Sequence, residues 1–232
     1  MSSVRVRSPA FKNMIKDLFP TPVYETFLEP TKEVQDTMIH YVHDFLEKNQ
    51  EHFANVPSLT GEVLGDYQIS DKPEFKWLSE QVFSHCSKYI EEIGATMEHS
   101  ELWAVQSWPV VCVTNSYVGY HRHSQSHFSA VYYVQCDDEC ESGELVIHAH
   151  EPNPLSNLPI YHVKSTVHNR RRDLILPKKG KLVIFPSVLA HEVLPYYGDL
   201  PRFSVSFDIM VTSKKDAGSF CLVHPSKWVK LS

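Results

Sequence analysis

The sequence lacks the features that mark membrane, nucleic-acid-binding and secreted proteins. Its longest apolar run, around residues 108–113, is too short to span a membrane. There is no basic excess, since the net charge is -6 with histidine neutral, and this disfavours nucleic acid as the main partner. Arg5 and Arg7 are not followed by the apolar core of a secretory signal. These absences predict a cytoplasmic protein that binds neither membrane nor nucleic acid.

The cysteines lack the spacing of a zinc ribbon or a disulfide framework. There are five, an odd number. Cys136 and Cys140 stand close together beside an acidic run, where they could form a redox or metal pair. Free thiols in a turn after a strand are the simpler interpretation, and they agree with a reducing compartment.

The fold class follows from a change in periodicity along the 232 residues. In the first third, Thr31 can cap a helix with apolar residues at helical spacing. Asp71 and Glu74 resemble a capping box for a second helix, with Pro73 in its first turn. From Leu102 onward, short β-rich runs alternate with turn residues. The sequence therefore predicts a mainly β fold with N-terminal helices, arranged as a sandwich or jelly roll.

Two sets of polar residues in the β-rich part suggest a site. On a strand, His121 and His123 would share a face, and His191 is a distant third histidine, so together they can bind a divalent transition metal. Alternatively, the His-x-His at 121–123 is a coincidence without a metal-binding role, because the chain has 14 histidines. Arg202 and Ser204 would also share a strand face, where a guanidinium and a hydroxyl can bind a carboxylate.

In combination, these residues resemble the Fe(II)- and 2-oxoglutarate-dependent oxygenase superfamily. The chain is most similar to its bacterial and phage hydroxylases related to prolyl hydroxylases. The resemblance extends over about residues 15–211, with no single piece specific by itself. Its pieces, in order, are Leu-Phe-Pro-Thr-Pro-Val-Tyr at 18–24, the His-x-His at 121–123, Ser-Ala-Val-Tyr-Tyr at 129–133, Ser-Gly-Glu at 142–144, His191, and Arg-x-Ser at 202–204.

The resemblance implies a double-stranded β-helix and a chemistry. Fe(II), 2-oxoglutarate and O2 would be used to hydroxylate a small amino-acid-like molecule or a peptide. His121 and His191 match the metal-binding histidines, and Arg202 matches the residue that pairs with the distal carboxylate of 2-oxoglutarate. Ser204 lies beside it, Tyr133 would place its hydroxyl on the same carboxylate, and Asn115 is a further candidate for a cosubstrate contact.

The chain departs from the family pattern at the second ligand position. His123 stands where the superfamily has Asp or Glu. The preferred interpretation is a catalytic metal site of three histidines, His121, His123 and His191. Alternatively, a carboxylate such as Glu144 or Asp208 approaches and His123 lies behind the ligands; His127 is a further candidate.

The expected organisation is one oxygenase domain over residues 14–232 after a flexible tail over residues 1–13. Within it we expect helical support over 14–100, a jelly-roll core over 101–214, a C-terminal extension over 215–232, and a lid over 151–173. Two other functions remain open. One is a cupin-like metal protein or three-histidine dioxygenase that does not use 2-oxoglutarate. The other is a catalytically silent binding module.

Overall fold

The structure is a computed structural model, and it describes residues 20–53, 58–150, 164, 166–217 and 223–231. Its helices are α1 (Lys32–Lys48), α2 (Gln50–Phe53) and α3 (Lys76–Glu92). Its strands are β1 (Tyr24–Phe27), β2 (Leu59–Thr60), β3 (Ser100–Cys112), β4 (Val118–His121), β5 (Phe128–Gln135), β6 (Leu145–His148), β7 (Arg172–Ile175), β8 (Lys181–Pro186), β9 (His191–Val193) and β10 (Arg202–Ser213).

The strands form two antiparallel sheets. The larger has the order β1-β8-β5-β10-β3-β2, and the smaller has the order β4-β9-β6-β7. Helices α1 and α3 pack on the larger sheet, where Met38 and Leu78 join Val205 in one apolar cluster. The predicted mainly β fold with N-terminal helices is therefore confirmed, and its jelly-roll core is a double-stranded β-helix.

Strand β10 separates the core from a cavity between the sheets. Phe203, Val205 and Phe207 belong to the cluster under the helices. Arg202, Ser204, Ser206 and Asp208 alternate with them and line the cavity, because successive side chains of a strand point to opposite faces. The predicted shared face of Arg202 and Ser204 is confirmed by this arrangement.

The predicted start of α1 agrees with the structure, whereas the predicted start of α3 does not. Thr31 caps α1, since its Oγ1 accepts from the backbone N–H of Val34 at 3.4 Å. The predicted capping box of the second helix is wrong. Two 3-10 turns, at Ile69–Asp71 and Pro73–Phe75, precede α3, and no side chain caps it. Phe75, the last residue of the second turn, is fully buried.

Several sequence predictions fall partly outside the described residues. The tail 1–13 and most of the predicted lid, residues 151–163 and 165, are among them. The end of that segment forms the start of β7. The four cysteines in the described part are free thiols, and Cys140 contacts the Ser142 hydroxyl. No helix in the described part is long and apolar enough to cross a membrane.

Candidate active site

Three histidines meet at one end of the cavity. Strand β4 ends at His121 and β9 begins at His191, and the two residues are direct cross-strand partners. The ring centroids of His121 and His191 are 4.2 Å apart, and that of His123 lies 5.0 Å from His121 and 5.2 Å from His191. One ring nitrogen of each lies within 4.8 Å of the others. The structure thus brings the predicted ligands together, while their metal binding stays a prediction.

The reason for this convergence differs from the expected one. We expected His121 and His123 to share a face of one strand, but β4 ends at His121. His123 lies in the following loop, where its backbone N–H donates to the carbonyl of Ser187 at 3.2 Å. This contact to the segment after β8, rather than strand alternation, holds the loop against the cavity.

Backbone carbonyls fix the rings of two histidines. Nδ1 of His121 lies 2.7 Å from the carbonyl of Gly119, and Nδ1 of His191 lies 3.1 Å from the carbonyl of Leu189. A carbonyl oxygen only accepts, so each Nδ1 must donate its proton. In the neutral ring Nε2 then carries a free lone pair, as metal binding requires.

Burial keeps both of these rings neutral. His191 is 6% exposed, and burial, together with the neighbouring His121, lowers its pKa to about 3. Burial also lowers the pKa of His121 below its ordinary value. Because only a neutral imidazole coordinates a metal, these environments favour the binding form.

A carboxylate holds the third histidine. Nδ1 of His123 lies 3.0 Å from Oδ2 of Asp208, which is fully buried. The same carboxylate accepts from Nε2 of Gln106 at 2.9 Å and from the Ser129 hydroxyl at 3.2 Å. Burial alone would raise the pKa of Asp208, but the hydrogen bonds from His123 and its neighbours lower it on balance. Asp208 is therefore an ionised acceptor behind His123.

The other end of the cavity holds a buried cation. Arg202 is 1% exposed; its Nη1 donates to the carbonyl of Gly143 at 2.6 Å, and its Nη2 donates to Sγ of Cys112 at 2.8 Å. Its Nε has no partner. The guanidinium carbon lies 5.8 Å from the ring centroid of Tyr133 and 5.9 Å from that of Tyr196. Within the described residues, no carboxylate pairs with Arg202, so its charge is uncompensated.

Two hydroxyl side chains accompany this arginine. Tyr133 and Ser204 are direct cross-strand partners on β5 and β10 and line the same cavity as Arg202. Both are buried. Burial raises the pKa of the Tyr133 phenol, so the phenol stays protonated and can donate. A guanidinium and two hydroxyls at one end of a cavity form a site suited to a carboxylate.

Contacts of Arg202 that the sequence did not reveal come from Cys112 and from the turn at Gly143. Gly143 has a φ of 73°, and a Cβ there would lie 3.1 Å from Nη1 of Arg202 and 3.0 Å from Cδ2 of Tyr196. Glycine is therefore required both for the backbone conformation and for the close approach of the guanidinium. The Ser-Gly-Glu turn was the available sequence signal, but it did not identify the partner.

The remaining candidates lie elsewhere. Asn115 is in a turn after β3, not on a strand; its φ is 71° and it is exposed, away from the cavity wall. Nδ1 of His127 accepts from the backbone N–H of Val211 at 3.0 Å, outside the histidine group. Glu144 does not line the cavity either. Of the alternative ligands, only Asp208 approaches the histidines, and it does so from behind His123.

The donor set fits a divalent transition metal. Three imidazoles converge, and each Nδ1 is already bonded on its outer side. Rings held in this way present their remaining nitrogens to one point, which is the usual arrangement around a protein-bound metal. Among the described residues, no carboxylate belongs to the converging group.

Comparison with known sequences identifies the segment that carries the site. A family described as "Putative 2OG-Fe(II) oxygenase" matches residues 106–208. This range begins at Gln106 and ends at Asp208, and it includes all three histidines and Arg202. No curated protein matches the chain.

Solved structures share the fold at low sequence identity. AviO1 from Streptomyces viridochromogenes Tue57 has a TM-score of 0.55 and 10% identity, with 86% of this chain and 92% of that chain covered. A prolyl hydroxylase from Trichoplax adhaerens, in complex with a hypoxia inducible factor peptide fragment, has a TM-score of 0.52 and 12% identity, with 81% and 83% covered.

A third structure is covered less completely. It is an oxidoreductase of the 2OG-Fe(II) oxygenase family from Burkholderia pseudomallei, with a TM-score of 0.44 and 15% identity. The match covers 62% of this chain, and it spans only 59% of that one.

Proposed function

We propose that the chain is a 2OG-Fe(II) oxygenase, the family whose model matches residues 106–208, and that it hydroxylates a small amino-acid-like molecule or a peptide at a three-histidine iron site. Members of this family use Fe(II), 2-oxoglutarate and O2. The observation that carries the proposal is the pairing, in one cavity, of three converging imidazoles with a buried arginine that has no anionic partner among the described residues.

In this proposal His121, His123 and His191 hold the iron. The outer hydrogen bonds of the three rings fix their orientation before any metal binds. The chain therefore has little reorganisation to make on binding, which favours affinity.

Arg202 would bind the distal carboxylate of 2-oxoglutarate, with Tyr133 and Ser204 donating hydroxyl hydrogen bonds to the same group. A buried guanidinium without a counter-ion is costly, so a site of this kind is completed by an anion. The cosubstrate would then lie along the cavity, with its distal end at Arg202 and its keto acid end towards the histidines.

When bound, iron and 2-oxoglutarate supply the oxidising power for hydroxylation of a C–H bond. The chain itself orients both groups and excludes water. Trp108, Val110, Leu145 and Phe185 form the apolar part of the cavity wall, and an apolar wall keeps solvent away from the reacting groups.

The substrate class is inferred from analogy of fold. The Trichoplax prolyl hydroxylase with a similar fold holds a peptide fragment, and a peptide suits this chain by analogy of fold alone. An amino-acid-like molecule is equally compatible with the cavity.

One other function has a specific observation in its favour. Three converging histidines, with no carboxylate in their group among the described residues, also suit a dioxygenase that does not use 2-oxoglutarate. The test is an anaerobic titration of the protein with Fe(II) and then with 2-oxoglutarate, followed by a succinate assay in air. We expect a weak visible band of the chelate and slow succinate formation. Iron binding without any response to 2-oxoglutarate would favour the other dioxygenase, and no iron binding would contradict both.

A further inference from the structure

A three-histidine site leaves an imbalance of charge. Three neutral imidazoles contribute no negative charge to a divalent cation, whereas the usual family pattern contributes one carboxylate. A dication in a buried cavity without a nearby anion from the protein is unfavourable. Before the anionic cosubstrate binds, this negative charge has to come from the chain itself.

Asp208 has the complementary imbalance. Its carboxyl group is fully buried against His123, yet among the described residues no lysine or arginine pairs with it. Its partners are the ring N–H of His123, the amide of Gln106 and the hydroxyl of Ser129. Once His123 binds a metal through Nε2, its ring keeps a single proton, on Nδ1, and is neutral. A buried carboxylate held only by neutral donors still lacks a counter-charge.

The proposed metal site and the Asp208 carboxylate lie on opposite sides of the His123 ring. We infer that Asp208 is a positioning residue that supplies, through His123, the negative charge that a carboxylate ligand contributes in the usual pattern. The inference rests on the proposed three-histidine metal site. It assigns Asp208 a role behind the ligands, since its oxygens are not part of the converging group.

The local backbone supports this assignment. The register between β10 and β3 shifts between Asp208 and Ile209, and such an irregularity re-aims a side chain next to a site. Gln106 is the cross-strand partner of Asp208 and holds Oδ2 from the β3 side. Trp108 packs against His123 with the ring centroids 5.7 Å apart. The carboxylate is therefore fixed in place and shielded from water, where a charge acts strongly.

The primary test is metal affinity, which does not depend on turnover. Asp208→Asn keeps an acceptor for His123 but removes the charge. We expect Co(II) affinity to fall about 10- to 100-fold, and the Fe(III)/Fe(II) midpoint potential to rise, because a negative charge favours the more positive ion. Ser129→Ala is the matched control, since it removes one hydrogen bond to Asp208 and leaves the charge. Its affinity and potential should stay close to those of the wild type.

A second variant, His123→Asp, separates the effect of the Asp208 charge on the metal from an effect on folding. His123→Asp places a carboxylate at the ligand position and removes the ring through which Asp208 acts. In that background, Asp208→Asn should leave Co(II) affinity unchanged or raise it. An equal loss in both backgrounds would show that Asp208 acts on the fold, and it would overturn the inference.

The wild-type protein provides an internal control if Asp208→Asn does not fold. In the Zn(II)-loaded protein, the Nδ1–H proton of His123 should resonate further downfield than those of His121 and His191, because its acceptor is charged and theirs are carbonyls. Equal shifts would contradict the inference. Absence of any metal binding by the wild type would instead contradict the proposed function on which it rests.

Discussion

The two ends of the cavity solve the burial of polar groups in opposite ways. At the histidine end, every Nδ1 has an acceptor within the chain, from Gly119, Leu189 or Asp208. At the arginine end, Arg202 has partners for Nη1 and Nη2 but none for Nε, and no counter-ion among the described residues. At the histidine end, the ring nitrogens that face the cavity are the ones left without a hydrogen bond. At the arginine end, a positive charge is left without a negative partner among the described residues.

This difference indicates what each end requires. The histidine end is stable without a metal, because its rings are satisfied on their outer sides and burial lowers the pKa of His121 and His191. The arginine end has an unsatisfied buried cation, so its empty state is unfavourable and an anion is strongly favoured. Loss of a residue should therefore affect ligand binding most at the arginine end, and pH should affect the empty protein most at the histidine end.

The largest expected effect is on cosubstrate binding by Arg202→Ala. Removal of the guanidinium should weaken 2-oxoglutarate binding by about 2–5 kcal/mol, or about 1.5 to 3.5 decades, because a buried charge-assisted pair is lost. The affinity of Arg202→Lys for 2-oxoglutarate should lie between those of the wild type and Arg202→Ala, since lysine keeps the charge without the planar guanidinium. Paired titrations with metal and 2-oxoglutarate measure this, and unchanged metal affinity serves as the control for folding. If Arg202→Ala binds 2-oxoglutarate as tightly as the wild type, Arg202 is not the cosubstrate residue.

A smaller effect is expected at the histidine end as the pH changes. Burial holds the pKa of His191 at about 3, below its ordinary value of 6.5, so the unfolded chain takes up a proton that the folded protein does not. The contribution of His191 to stability is complete above pH 6.5 and is lost as the pH falls towards 3. The expected slope is about 1.4 kcal/mol per pH unit.

Denaturant unfolding of the metal-free protein between pH 7 and 4 measures this dependence. His191→Gln keeps a neutral polar side chain and should show a shallower decline than the wild type, because the carboxylates of both proteins titrate alike. Parallel curves for the two proteins would mean that His191 is protonated as readily in the folded as in the unfolded state.

The smallest effect concerns Ser204→Ala. Loss of one hydroxyl at the arginine end should weaken 2-oxoglutarate binding by about 0.5–1.5 kcal/mol, as for a single hydrogen bond. Ser206→Ala, one residue pair further from Arg202 on the same face of β10, is the matched control and should bind nearly as the wild type does. Equal losses in the two variants would indicate a general effect on the cavity wall rather than a contact of Ser204.

The parts of the site that the sequence predicted are those governed by local periodicity. Arg202 and Ser204 share a face because β10 is a continuous strand, and the alternation of a strand is visible in sequence. Thr31 was predictable as a helix cap for the same reason, since a cap depends on residues only a few positions away.

The parts that the sequence did not predict depend on contacts between distant segments. His123 is placed by a hydrogen bond to Ser187, and Arg202 by Cys112 and Gly143. Periodicity carries no information about such pairs. Asn115 lies in a turn after β3 with a positive φ, and the β-rich composition of its segment does not reveal that turn.

The cross-strand pairing of His121 with His191 also bears on the order of events during folding. The two positions belong to β4 and β9, which are separated in the chain by the whole of β5 to β8. Closing so long a loop is slow, because its entropic cost arises before the long-range contacts that stabilise the closed state have formed. A metal ion therefore has no preformed cluster to bind in the early collapsed chain. Metal capture would come late, and its appearance in a refolding experiment would report that both sheets have been assembled.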